Sequence, residues 1–103
     1  MSTMRITDRH LDLVVEQLNK ELGRPITAYR KDEKGSGVQS NIGNIHTSHA
    51  YGGVELHEMA NEWGGVNVLS TGGYTTKRDL YNQIQAMLTA LRLHDHNKRG
   101  ASQ

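Results

Sequence analysis

The stretch GGVELHEMANEWGGVNVL, residues 52–69, decides the architecture. Leu56, Met59, Ala60 and Trp63 are spaced for a helix, yet Val54 to Met59 also fits a strand, and periodicity alone leaves so short a run open. The glycines tip the balance. Gly52-Gly53 before the run and Gly64-Gly65 after it favour a hairpin, with Val66 to Leu69 as the returning strand. As a strand, Val54–Met59 places Glu55 and His57 on one face and Leu56 and Glu58 on the other, which permits an acid–histidine pair.

Upstream, Asn41, Asn44, His46, His49 and Tyr51 form a polar run that suits a binding groove or a long, hydrogen-bonded loop. Val38, Ser40 and Ile42 alternate with Gln39, Asn41 and Gly43 as a second strand, interrupted at Gly43 and extending toward His46. Ile26 to Lys31 alternates as an edge strand, and DEKGSG after it is a turn by composition.

Two helices flank this middle. Thr7 is a natural N-cap, Asp8 suits the first turn, and Leu11, Val14, Val15, Leu18 and Leu22 form one apolar stripe ended by Gly23 and Pro25. The first helix therefore spans Asp8 to Leu22. Thr76 caps the second, with Asp79 following, and Leu80, Tyr81, Ile84, Met87, Leu88 and Leu91 supply its apolar face. Neither stripe is buried by itself. The expected fold is α+β: helix, a three- to four-stranded antiparallel sheet, helix, with both helices on one face of the sheet. One domain over 1–93 is expected, and the residues from His94 to Gln103 lack periodicity and read as a disordered tail.

At 103 residues, with 35% hydrophobic and 22% charged content, the chain has length for one modest core. Cysteine is absent, which removes disulfides, thiolate metal sites and a thiol nucleophile, and points to a reducing, cytoplasmic setting. No apolar run reaches the roughly 20 residues of a membrane span. Glu55, Glu58 and Glu62 are the only charges between Val54 and Thr76, whereas Lys77 to Gln103 carries five basic residues against Asp79 and Asp95. An acidic middle and a basic end suggest contact surfaces.

The segment STGGYTTKR, residues 70–78, is the principal candidate site. Gly72 and Gly73 permit close backbone approach, Thr75 and Thr76 offer hydroxyls, and Lys77 and Arg78 place cations at a helix start, where they oppose the macrodipole unless an anion is bound. The combination suits a phosphate, although a turn and cap are needed at any such junction. His46, His49 and Tyr51 are the candidate additional contacts. The six histidines raise the question of a metal, but HEM at His57–Met59 is not HExxH, and His46-x-x-His49 has no third ligand in pattern. No metal, cofactor or catalytic residue is assigned. Trp63 reads as a core plug more readily than as a base-stacking platform.

The segments MRITDRH (4–10), Leu18-Asn19, NIGNIH (41–46), AYGGVEL (50–56), Asn61-Glu62, GGV (64–66) and TKRDL (76–80) together resemble a family of small proteins common in tailed bacteriophages. The resemblance covers Met4 to about Leu91; several members have Tyr where Ile45 stands. It transfers no activity, but implies an accessory or host-takeover protein made in the bacterial cytoplasm. A looser resemblance is to the double-stranded-RNA-binding domain, which also runs helix, three strands, helix. It is carried by Leu18-Asn19, Pro25 and Tyr29, and by Gly73, Thr76, Lys77 and Arg78, which in that domain would hold phosphates. Asp79-Leu80-Tyr81 and the stretch NIGNIHTSHAYGG depart from it.

These readings lead to a non-enzymatic binding domain whose ligand carries phosphate, either nucleic acid or nucleotide. The alternative is a protein-interaction module that inhibits a host bacterial enzyme or defence system through Glu55, Glu58 and Glu62 or the basic end. A third reading is a small metal-dependent hydrolase built on the His/Glu cluster. A free sheet edge also offers a route to a homodimer.

Overall fold

The computed structural model describes residues 5–31 and 37–101, with backbone alone for 96–101. The order is α1 (Asp8–Leu22), β1 (Tyr29–Lys31), β2 (Val38–Ser40), β3 (Ile45–Ala50), β4 (Gly53–Met59), β5 (Val66–Val68) and α2 (Lys77–Ala101). The fold is α+β, with antiparallel strands between two helices, and the strands divide into two sheets, β1-β2 and β3-β4-β5. The expected second strand stops at Ser40 because Gly43 turns the chain at φ 90°. A separate strand, β3, then takes up His46 and His49 of the polar run, while Asn41 and Asn44 precede it and Tyr51 follows it in the turn. The DEKGSG turn lies outside the described residues except for Gly37.

Helix α1 forms as its caps dictate. Thr7 Oγ1 accepts from the His10 amide, and His10 Nδ1 accepts from the Thr7 amide at 2.9 Å, so two otherwise orphaned donors are satisfied reciprocally. Gly23, at φ 70°, closes the other end by donating to the Lys20 carbonyl. Helix α2 carries its backbone to Ala101, beyond Leu93, where the apolar pattern ends. Leu93, His94 and Asp95 are exposed on it. Residues 102–103 lie outside the described residues.

The core follows from strand parity. Ile45, Thr47, Val54 and Leu56 share one face, and their buried members meet Leu11, Val14, Val15 and Leu18 of α1 and Leu80, Ile84 and Leu88 of α2. Both helices therefore cover the same face of β3-β4-β5. They run in the same direction: Lys77 pairs with Asp8 at their starts and Arg92 with Glu21 further along. Trp63, expected as a core plug, is instead 83% exposed. Its loop is organised by Asn61, whose Oδ1 accepts from the amides of Trp63 and Gly65, so the indole is not needed inside.

One junction positions the rest. Val54 and Thr75 exchange both backbone hydrogen bonds, at 2.8 and 2.9 Å, which fixes the start of α2 against the N-terminal end of β4. A Cβ at Gly53 would lie 2.9 Å from the Thr75 carbonyl oxygen, so glycine is what lets these backbones approach.

Candidate functional site

Thr76 caps α2 as expected: the Asp79 amide donates to its Oγ1, while Thr75 Oγ1 donates to the Asp79 carboxylate. That leaves the amides of Lys77 and Arg78 at the helix start without a partner among the described residues. Lys77 Nζ lies 3.3 Å from Asp8 Oδ1, and His49 Nε2 lies 3.2 Å from the same oxygen. Asp8 thus gathers the first turn of α1, the end of β3 and the first turn of α2. These two contacts, His49 first and then Lys77, hold its exposed carboxyl below the usual carboxylate range. Beside them lies a cavity of about 300 Å³ lined by His49, Ala50, Gly52, Gly53, Val54 and Lys77.

The sequence-level candidates separate here. His49 and Lys77 reach this cavity, and exposed Arg78 and Tyr51 flank it along the chain. Gly72 and Gly73, at φ 84° and 70°, do not line it; their loop is pinned to α2 through Thr71, whose amide donates to Gln83 Oε1 at 3.0 Å. The glycines at the cavity are Gly52 and Gly53, needed by the β3–β4 turn and legible in sequence only as a hairpin signal. His46 and His49 fall on opposite faces of β3, because an odd separation along a strand reverses direction. Asn41 and Asn44 donate to the carbonyls of Thr27 and Pro25, which gives them a structural task in holding the segment before β1.

Tyr51 occupies the β3–β4 turn with φ 53°, and Gly52 follows at φ 73°. Two successive positive φ values match the twist of a hairpin, but a bulky residue at the first costs about 1 kcal/mol that asparagine largely avoids. Tyr51→Asn is therefore expected to raise folding stability by about 1 kcal/mol, and the melting midpoint by roughly 4–8 °C. Calorimetry checks this. A lower midpoint would show that the edge-to-face contact of Tyr51 with Tyr74, at 5.6 Å between centroids, outweighs the turn strain.

A second cluster occupies the sheet face turned away from the helices. Glu55 and His57 share that face, as the strand reading allows, and His57 Nε2 meets Glu55 Oε1 at 2.7 Å with both side chains 11% exposed. The rings of His46 and Tyr74 pack edge-on to His57, and Tyr74 Oη and Ser48 Oγ share a hydrogen bond of 2.9 Å. No hydrogen bond joins His57 to Ser48 among the described residues, so the acid–imidazole pair has no nucleophile attached to it. No group of three or more metal-ligating side chains is assembled among them either. Nor do the three acidic residues of the middle form one surface: Glu55 is buried with His57, Glu58 on the opposite face is paired with Arg24, and Glu62 lies in the loop.

Burial, and then the charge of His57, holds the His46 imidazole below its usual pKa of 6.5. A histidine depressed in the folded state is protonated first in the unfolded chain. Stability is therefore complete above pH 6.5 and is lost as the pH falls through that value toward the folded one. The urea midpoint should drop from pH 7 to pH 5.5, and His46→Asn should flatten that drop; an unaltered slope would remove His46 as its source.

Comparison of the chain with family models, with curated proteins and with solved structures finds no match.

Proposed function

We propose that the protein is a non-enzymatic binding domain that takes the phosphate of a nucleic acid or nucleotide between the β3–β4 turn and the start of α2. The observation that carries this reading is the cavity of about 300 Å³ lined by Lys77 and His49 together with the backbone of Gly52 and Gly53. The unpartnered amides of Lys77 and Arg78 add donors at a helix N-terminus, where the macrodipole favours an anion. Tyr51 is 95% exposed and held in a disfavoured conformation at the adjoining turn, a combination suited to stacking on a base. The parallel helices on one face of a three-stranded sheet accord with the looser resemblance to the double-stranded-RNA-binding domain. The bacteriophage resemblance supplies the setting, an accessory protein acting in the infected cell.

Thermal-shift and gel-shift titrations against duplex RNA, duplex DNA, single strands and a nucleotide panel test this at two salt concentrations. Polymer binding that weakens as salt rises supports phosphate contact at the basic helix start. Stabilisation by one nucleotide alone identifies a small-molecule site in the cavity. Absence of binding throughout the series would exclude the phosphate reading and transfer the weight to a host protein as ligand.

A further inference from the structure

We propose that the outer edge of β3 docks an extended basic peptide, which adds as a further strand beside Thr47–His49 and sets a lysine or arginine against Asp12. Strand β3 is an edge of the sheet β3-β4-β5. At its start, Asn19 from α1 imitates a neighbouring strand: its Nδ2 donates to the Ile45 carbonyl and its Oδ1 accepts from the Ile45 amide, both at 2.9 Å. The backbone groups of Ile45 therefore point away from β4. Backbone direction repeats every second residue, so the amides and carbonyls of Thr47 and His49 point the same way. They have no partner among the described residues. The strand sequence IHTSHA has no proline, lysine or bulge to guard the edge.

The flank of this edge is shaped and charged. A groove of about 310 Å³ runs between β3 and α1, with Val15 and Ile26 as apolar lining and Asp12 and Glu16 as acidic lining. Asp8, Asp12 and Glu16 recur every four residues and share one face of α1. Asp8 is occupied by Lys77 and His49, and Glu16 by Lys20 at 3.1 Å. Asp12 has no ionic partner among the described residues. A strand laid beside Thr47 and His49 directs alternate side chains toward α1, where an uncompensated carboxylate asks for a cation. Asp12 and Glu16 disfavour a polyanion along this groove, and the edge meets the proposed phosphate cavity only at His49, whose side chain lines that cavity.

The probe is a fluorescein-labelled, acetylated heptapeptide of alternating valine and lysine, with valine–glutamate and valine–threonine peptides as controls, titrated into the full chain. The lysine peptide is expected to bind roughly tenfold more tightly than the glutamate peptide. The amide resonances of Thr47 and His49 should shift and gain protection from exchange. Thr47→Pro deletes an amide that faces away from β4 and is tolerated at an edge, and should lose roughly tenfold in affinity with the free protein still folded. Asp12→Asn should weaken the lysine peptide several-fold and leave the threonine peptide unchanged; it decides the matter alone if Thr47→Pro fails to fold. Equal binding of the glutamate peptide, amide shifts confined to other elements, or wild-type affinity in folded Thr47→Pro would overturn the proposal. So would self-association through the same amides without peptide, which assigns the edge to a second copy.

Discussion

Replacing Glu55 with alanine is expected to cost roughly 3–5 kcal/mol of folding stability, the largest loss from any single substitution on the polar face of the sheet. The reasoning is about what is left behind. Glu55 and His57 are neighbours on one face of β4, and their 2.7 Å contact is almost closed to water. Removing the carboxylate leaves the His57 ring nitrogen desolvated with no acceptor, and opens space under Tyr74 and Ser48, which are tied to each other. A domain of this size has about 5–15 kcal/mol in all, so the variant should sit close to unfolding. Urea denaturation at pH 7 measures it. The control is the double replacement Glu55→Leu with His57→Leu, which removes both polar partners and is expected to recover much of the loss. If Glu55→Ala costs less than about 1 kcal/mol, the pair is not a supporting element of the sheet.

The Glu55–His57 pair was legible because strand parity needs only one decision, and the glycine pairs around Val54–Met59 supplied it. Both helices were legible for a similar reason: caps and apolar spacing are local, and Thr7, Gly23 and Thr76 act within a few residues of themselves. What escaped were contacts between segments distant in sequence. Nothing near Asp8 indicates that its carboxylate will meet His49 and Lys77, because that meeting requires the helices to be parallel. The glycines of STGGYTTKR drew attention to Gly72 and Gly73, whereas the backbone approach that shapes the cavity is made by Gly53 against Thr75. Trp63 misled for a related reason. A large apolar side chain is expected inside, but Asn61 supplies enough hydrogen bonds to order the loop without it.

Lys77→Ala combined with Arg78→Ala is expected to weaken binding of a phosphate polymer by about a hundredfold at low salt, taking roughly tenfold per lost contact. The slope of affinity against salt should fall by about two contacts. Neither change should unfold the domain: Arg78 is exposed, and the ionic partner of Lys77 is the exposed Asp8. Asp8 is the informative counterpart, because its carboxylate occupies Lys77 and His49, the side chains that a phosphate would use. Its lowered pKa means that this internal anion is present throughout the neutral range. Asp8→Asn removes the competing charge while retaining the side chain's shape, and should tighten the same polymer several-fold with a steeper salt dependence. Opposite responses from the two variants locate the ligand between α1, the β3–β4 turn and α2. If both bind as wild type does, the phosphate lies elsewhere on the protein, and Lys77 at the start of α2 serves to hold Asp8 and so tie the two helix starts together.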